Sequence, residues 1–333
     1  MKTSKSIFLI AITILVFEAC NKDDPAPDQS AELIGAWENV SFVATGCADP
    51  ADNYNETCTS DCEILVITAT TLTFDGEGPY SYTTNGNSMT INFNGDKIVG
   101  TYSISGATVT FTNQDSPPDG GCKNVSTYKK YDYKVTDIDG NVYNTVIIGT
   151  QEWMKENLKT KHYSDGSVIP NVNQTVDWVN LSSGAYCDFD NNTNNVATYG
   201  RLYNWYAVAD SRNVCPSGWH APSLDEWDDL INTLGGESIA GGKMKSTGTL
   251  QNGDGLWYSP NTGATNSSGF TGLPAGTRFD AGDFRDLHSF GTWWSSDDGF
   301  GSAWSPRLQD THTMVEWFNN YARIGKSVRC VKD

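Results

Sequence analysis

The sequence has little positive charge, little histidine and only one long apolar run. It contains 22 Lys and Arg residues against 40 Asp and Glu residues, which gives a formal net charge of −18 over 333 residues. Such a chain would be repelled by a phosphate backbone, which argues against nucleic-acid binding, and an anionic lipid surface would repel it as well. The four histidines, His162, His220, His288 and His312, are dispersed without metal-ligand spacing. We find no P-loop, HExxH motif or nucleophile elbow, so the sequence favours a protein that is not an enzyme.

The apolar run lies at the N-terminus. Lys2 and Lys5 precede the unbroken apolar segment 7–17, and a small residue stands directly before Cys20. A basic start, a short apolar stretch and a small-residue cleavage site are the parts of an export signal, and the run is shorter than the roughly 20 residues that a transmembrane helix needs. We therefore predict a signal peptide over residues 1–19. Residues 20–31 are polar and contain proline, which is typical of a flexible tether.

A cysteine directly after the cleavage point resembles the lipobox of bacterial lipoproteins. The resemblance implies that Cys20 is acylated and holds the protein to outer-membrane lipid. Glu18 departs from the pattern, which prefers a small or apolar residue there. The acidic segment 21–24 is similar to the export tag of Bacteroidetes surface lipoproteins and implies exposure at the cell surface. The alternative is an ordinary signal peptide followed by an incidental cysteine.

The seven other cysteines fit an oxidising compartment. Four of them lie in the first half of the chain and allow three pairings, among which sequence does not choose. We favour Cys47 with Cys58 and Cys62 with Cys122. In the second half we favour Cys215 with Cys330, which leaves Cys187 free.

Residues 32–130 have the composition of a β domain, with short strand-like segments separated by Asn-Gly and similar turns. Eight such strands predict an up-and-down antiparallel barrel. Segment 33–37, which ends in Trp37, resembles the opening of a small bacterial lipocalin-like domain, and segments 71–80 and 100–106 extend the likeness. The resemblance implies that Trp37 plugs the barrel base. An eight-stranded barrel either holds one small ligand or is filled, and bulky inward residues favour filling; these residues are Phe74, Ile91, Phe93 and Phe111.

Residues 131–333 form a second predicted domain, and ten of the 11 tryptophans lie beyond residue 150. Apolar residues at helical spacing predict a helix over 200–209. A second helix is predicted after Ser223, because Glu226 three residues later completes a capping box and Gly235-Gly236 ends the apolar stripe. Few regular segments are expected beyond it.

Several motifs in this second domain resemble, in the family's order, the Fibrobacter succinogenes major paralogous domain. The resemblance implies a C-type-lectin-like, sulfatase-modifying-factor-like fold without an agreed activity, so the whole chain is expected to be mainly β with an α+β C-terminal domain of two helices and long loops. The segments that carry it are 137–143, 151–158, 199–208, 215–223, 269–276, 293–296 and 327–330.

The sequence offers two candidate metal sites in this domain, one for copper and one for calcium. Oxidases of related fold hold copper between two cysteines, but Cys187 has no thiol partner once Cys215 and Cys330 pair. Oxygen-bearing side chains alternate as at the start of a calcium loop, at Asp188, Asp190, Asn192 and Asn194. The loop lacks the glycine at its sixth position and the acid at its twelfth, so an Asn-rich turn is favoured over calcium.

Aromatic and polar residues in the same domain suggest a binding surface. Tryptophan stacks on sugar faces, and carboxylates bond hydroxyl groups, which points to an extracellular glycan or protein as the ligand. The candidates are Trp257, Tyr258, Arg278, Trp293, Trp294, Asp297, Asp298 and Trp304. The first alternative is that most of these tryptophans build the core of a loop-rich fold. The second is a structural component of a surface assembly that has no ligand.

Overall fold

A computed structural model describes residues 29–59, 62–115, 121–298 and 302–333. The chain divides into two compact units, Met1–Asp132 and Tyr133–Asp333. Among the described residues, none of the helices has the length and apolar character required to cross a bilayer. The predicted signal peptide, the export tag and Cys20 lie outside the described residues.

The first unit is an antiparallel β-barrel, as predicted. A short helix α1 (Ser30–Leu33) is followed by the strands β1 (Gly35–Thr45), β2 (Tyr54–Thr57), β3 (Ile64–Ile67), β4 (Thr71–Phe74), β5 (Glu77–Asn85), β6 (Ser88–Phe93), β7 (Asp96–Ser105), β8 (Thr108–Gln114) and β9 (Lys123–Lys130). The strand β1 pairs with β9 on one side, which closes the barrel. On its other side β1 pairs first with β3 and then with β2, so these two short strands share one edge of β1. A 3-10 turn, Pro50–Asp52, precedes β2.

Bulky side chains occupy the barrel interior. Trp37 is buried, and its indole Nε1 donates to the Leu33 carbonyl at 2.7 Å. Phe74, Ile91 and Phe111 pack as half-buried residues against the barrel core, and the Phe93 ring lies 4.3 Å from that of Tyr80. This packing supports a filled structural barrel.

The cysteine pairing that we favoured in the barrel is wrong. The bonds join Cys47 to Cys122 and Cys58 to Cys62. Because Thr45 of β1 pairs with Lys123 of β9, barrel closure brings Cys47 and Cys122 together. The other two lie in the short connection between β2 and β3, which occupy the same edge of β1. Both disulfides follow from the strand pairing of the barrel, which the spacing of the cysteines in the sequence does not reveal.

The second unit is built from small sheets and loops. The strands are β10 (Lys134–Thr136), β11 (Val142–Ile148), β12 (Gln151–Met154), β13 (Tyr186–Cys187), β14 (Leu202–Tyr203), β15 (Trp219–His220), β16 (Ala275–Arg278), β17 (Phe284–Leu287), β18 (Phe290–Thr292), β19 (Ser302–Gln309), β20 (Glu316–Tyr321) and β21 (Val331–Lys332). A five-stranded sheet has the order β10-β11-β12-β21-β15, and three smaller sheets are β13-β14, β16-β17 and β18-β19-β20. The helices are α2 (Thr175–Trp178), α3 (Val196–Tyr199), α4 (Trp205–Val208), α5 (Leu224–Thr233) and α6 (Glu237–Met244), with 3-10 turns at Phe189–Asn191 and Thr193–Asn195. The chain is therefore mainly β with few helices, as predicted.

The helix α5 confirms the predicted capping box. The Ser223 amide donates to the Glu226 carboxylate at 2.8 Å, and the Glu226 amide donates to the Ser223 hydroxyl at 3.3 Å. The helix buries Trp227, Leu230 and Ile231. The capping box and the apolar stripe therefore both indicate the helix that is observed.

Two helix predictions need correction. The helix expected over 200–209 is confined to α4, because Asn204 caps it by accepting from the Ala207 amide at 3.1 Å while the residues before it form β14. The helix α6 was not predicted, since its Gly241 and Gly242 have low helix propensity. Packing requires both glycines: a Cβ at either position would fall 2.6 Å from a carbonyl oxygen of a neighbouring segment.

Candidate functional site

The structure does not assemble the predicted aromatic surface. Trp257, Trp293, Trp294 and Arg278 are each 0% exposed, so these four belong to the core. Asp297 is half-buried and accepts from the Ser295 hydroxyl at 2.9 Å and from the Leu224 amide at the start of α5, so it has a structural role. Of the remaining candidates, Trp304 is half-buried, while Tyr258 and Asp298 are exposed. A tryptophan needs many neighbours to be buried, and a fold with short sheets supplies them from loops.

Arg329 is the centre of a buried polar network. Its guanidinium donates to the Asn157 side-chain oxygen at 2.9 Å and to the Met154 carbonyl at 3.1 Å, and it lies 4.3 Å from the Phe270 ring centroid. The Trp293 indole donates to the same Asn157 oxygen at 2.8 Å. Burial lowers the pKa of Arg329 to about 9. The segments 151–158, 269–276, 293–296 and 327–330 therefore meet in one structural cluster.

Two further cations are buried in the same manner. The Lys245 ammonium donates to the carbonyls of Thr262, Gln309 and His312 at 2.8–2.9 Å, and burial lowers its pKa to about 8. Lys326 donates to the Ser305 hydroxyl at 3.0 Å, and burial lowers its pKa to about 7. A serine beside a lysine of lowered pKa is a known nucleophile–base pattern. Ser305 is 0% exposed, however, and no substrate reaches it in this conformation.

The second-unit cysteines pair as predicted. Cys215 is bonded to Cys330, and Cys187 is free and buried. Burial raises the pKa of the Cys187 thiol to about 12, so it stays a thiol at neutral pH. Copper chemistry that requires a pair of thiolates has no support from this arrangement.

Two of the four predicted calcium ligands, Asp188 and Asn192, are used within the protein. Asp188 is buried and forms an ion pair with Arg201, and the Asn192 side chain accepts from the Asn194 amide at 3.1 Å. Asp190 is exposed in the first of two consecutive 3-10 turns. Across the described ranges, no three His, Cys, Asp or Glu side chains are grouped to hold a metal ion. The segment is built as an Asn-rich turn.

His220 bridges two acidic side chains. Its ring nitrogens lie 2.7 Å from a Glu226 oxygen and 2.6 Å from an Asp333 oxygen. The hydrogen bond with Glu226, which outweighs partial burial, raises the pKa of His220 to about 9. The imidazolium thus ties β15 to α5 and to the residue after β21.

We expect the stability contributed by His220 to be fully present below pH 6.5 and to be lost as the pH rises to 9. After discounting for partial exposure, the shift corresponds to about 1–2 kcal/mol. Urea unfolding at pH 6 and pH 9.5 measures it. The free energy of unfolding at pH 6 minus that at pH 9.5 should be about 1–2 kcal/mol smaller in His220→Gln than in the unmodified protein, and unchanged in His312→Gln. Burial lowers the pKa of Lys245 and Lys326, so their contribution to stability rises with pH and opposes that of His220. The comparison between variants separates the His220 contribution from theirs. Equal pH dependence in both variants would contradict the prediction.

A shallow, open cleft in the second unit is a candidate site. It has a volume of about 470 Å³, within the range of ordinary ligand sites. Its walls come from three separated segments, 168–170, 182–184 and 206–212. Val168 and Pro170 expose apolar surface on one of these segments. The site was not predicted, because no single segment carries it.

An ion pair of fixed geometry lines the cleft. Arg212 donates from Nε to one oxygen of Asp210 at 2.8 Å and from Nη2 to the other at 2.6 Å. These hydrogen bonds lower the pKa of Asp210 to about 2. The guanidinium lies 4.0 Å from the Tyr163 ring centroid and also donates to the Ser167 hydroxyl at 3.1 Å. A planar guanidinium held in this way presents its remaining N–H groups in a fixed orientation.

The cleft also has a position that admits only glycine, and it has hydroxyl groups that can bind a ligand. A Cβ at Gly184 would fall 2.1 Å from the Tyr163 hydroxyl, so only glycine fits there. Burial raises the pKa of Tyr163 to about 12, which keeps the phenol protonated. Within the described part of the chain, the hydroxyls of Ser182, Ser183 and Tyr206 make no hydrogen bond to the protein. They are available to a ligand.

The barrel, the disulfide-linked loop-rich unit and its open cleft define a two-unit, mainly β protein whose candidate site lies in the C-terminal unit. A family model described as the Fibrobacter succinogenes major domain matches residues 146–332. The chain belongs to this family, as its motifs predicted. No curated protein matches the chain.

Proposed function

We propose that this protein is an exported, lipid-anchored surface protein that binds an extracellular glycan, without catalysis, through the cleft of its C-terminal unit. The observation that carries the proposal is the combination of three unpartnered hydroxyls with the bidentate Asp210–Arg212 pair in one open cleft. The barrel acts as a spacer or accessory module.

The cleft chemistry suits a neutral sugar. Asp210 has acceptor capacity and Arg212 has donor capacity beyond their mutual bonds, so together they match a hydroxyl, which both donates and accepts. Val168 and Pro170 offer apolar surface to the C–H face of a sugar ring. An anionic ligand would meet the Asp210 carboxylate and a chain of net charge −18. We therefore favour neutral glycans over charged ones.

Binding should depend on Arg212. Replacing it by alanine removes charge-assisted hydrogen bonds worth about 1.5–3 kcal/mol, so we expect affinity for a neutral glycan to fall by roughly 10- to 150-fold. A glycan array with residues 21–333 identifies the ligand, and calorimetry measures its dissociation constant.

The matched control is Arg285→Ala. Arg285 pairs with Asp283 two residues earlier and lies 4.8 Å from the Phe279 ring centroid, which repeats the Asp-x-Arg arrangement away from the cleft. Its replacement should leave affinity unchanged. Absence of any saturable glycan, or equal losses in the two variants, would overturn the proposal. Ordered multimers seen by electron microscopy without ligand binding would favour a structural role instead.

The anchor has its own test. In a bacterial host that acylates lipoproteins, we expect the full chain to fractionate with the outer membrane and to carry an acylated Cys20 by mass spectrometry. The Cys20→Ala variant should lose the modification and leave the membrane fraction, because an acidic body of this kind is repelled by anionic lipid. Cys187→Ala serves as the control, since this buried thiol has no part in the proposed anchor. Membrane retention of Cys20→Ala would contradict the assignment.

A further inference from the structure

A second and smaller cavity lies beside the Cys215–Cys330 disulfide. Its volume is about 230 Å³, close to eight times the ~30 Å³ that one water occupies in the liquid. Ile138, Val214 and Pro216 give it mainly apolar walls, and His162 lines it together with Asp137 and hydroxyl-bearing residues. It is too small for an oligosaccharide and large enough for a single small ring.

The orientation of His162 is fixed by Asp139. The ring Nδ1 lies 2.6 Å from one Asp139 oxygen, and the other oxygen accepts from the Thr160 hydroxyl at 2.9 Å and from the Lys161 amide. Partial burial opposes ionisation of Asp139, but the bonds from Lys161, His162 and Thr160 outweigh it and lower its pKa. An ionised carboxylate only accepts, so Nδ1 carries the proton.

The second ring nitrogen of His162 is therefore an acceptor when the ring is neutral. Within the described ranges it makes no hydrogen bond to the protein. The side chain is 33% exposed and the residue lines the cavity, so a small molecule in the cavity can approach the ring. The arrangement differs from that of His220, whose two nitrogens are both occupied.

We propose that this cavity is a binding site for a small neutral molecule with a compact apolar ring and one hydroxyl or N–H donor, which bonds to Nε2 of His162. The apolar walls hold the ring, and the Asp139–His162 pair selects for the donor. The site is separate from the glycan cleft in its residues, so the two proposals stand or fall independently.

Phenol is a suitable probe, and anisole, its methyl ether without a donor, is the matched control ligand. Titration of the full mature chain, followed by the ¹⁵N chemical shifts of the histidine rings, should show saturable phenol binding that moves the His162 signals. We expect anisole to bind about tenfold more weakly, the loss of one hydrogen bond of about 1.4 kcal/mol.

Variants test the same contact from the protein side. His162→Phe keeps a ring in the wall and removes the acceptor, so it should abolish the preference for phenol over anisole. His312→Phe changes a histidine of similar exposure, 29% against 33%, and should retain the preference. Equal affinity for the two ligands in the unmodified protein, or a preference that survives in His162→Phe, would overturn the proposal. The ligand comparison needs no variant, so it holds even if His162→Phe folds poorly.

Discussion

Replacing Asn157 by alanine is expected to destabilise the C-terminal unit by about 3–5 kcal/mol. The Asn157 side-chain oxygen accepts from the Arg329 guanidinium and from the Trp293 indole, and its nitrogen donates to the Tyr199 carbonyl at 2.9 Å. All of these groups are buried. Truncation leaves a buried cation with fewer partners and an indole N–H with none, and unpaired buried groups of this kind cost several kcal/mol.

Tryptophan fluorescence in a urea titration measures this loss selectively, because ten of the 11 tryptophans lie in the C-terminal unit. Asn194→Ala is the control, since Asn194 is exposed and its side chain makes no hydrogen bond to this network. A surface change of that kind should stay within about 0.5 kcal/mol. A loss below 1 kcal/mol for Asn157→Ala would mean that water replaces the carboxamide without cost, against the burial argument.

Local chemistry made part of the fold predictable. Asn-Gly turns between alternating strands mark the hairpins of the barrel, and Ser223 with Glu226 marks the start of α5. Both signals act within a few residues, so tertiary context does not override them. The same reasoning failed for α6, where Gly241 and Gly242 suggest a loop and close packing of neighbouring carbonyls requires them.

The candidate surface could not be separated from the core by sequence alone. The sequence around Trp293 and Trp294 is equally compatible with sugar-stacking residues and with core residues. Only the packed structure shows that both side chains are 0% exposed. Arg278 is a stronger case, because a charged side chain is rarely fully buried. It donates to the carbonyls of Val172 at 2.7 Å and Asn173 at 2.9 Å, partners more than a hundred residues away in sequence.

The cleft and the smaller cavity escaped prediction for a related reason. The cleft combines segments 168–170, 182–184 and 206–212, and the cavity combines segments 136–138, 160–164 and 214–217. The short spacing of Asp210 and Arg212 was a usable signal, since a carboxylate two residues before an arginine can form a local bidentate pair. The same spacing at Asp283 and Arg285, which lies outside the cleft, shows that the signal alone does not identify a site.

Removing the Cys215–Cys330 disulfide is expected to cost about 5 kcal/mol, because it closes the longest loop of the three disulfides among the described residues. The two cysteines are 115 residues apart in sequence, and the entropy that a crosslink removes from the unfolded chain grows with the logarithm of that loop. The bond also lies in the core that contains Trp219 and Trp294. We expect the Cys215→Ala/Cys330→Ala double variant to unfold at much lower urea concentration, with tryptophan fluorescence as the readout.

The barrel provides the comparison that separates loop entropy from simple loss of a bond. Cys58 and Cys62 are only 4 residues apart, so the same relation predicts a cost of about 2 kcal/mol for their joint replacement by alanine. Circular dichroism follows that unfolding, because the barrel contains Trp37 alone among the tryptophans. Cys187→Ala controls for loss of a buried sulfur without a crosslink. If the two disulfide variants lose equal stability, loop length does not set the contribution of a disulfide. The long crosslink between the residue before β21 and the segment before β15 then stabilises the unit through its local packing instead.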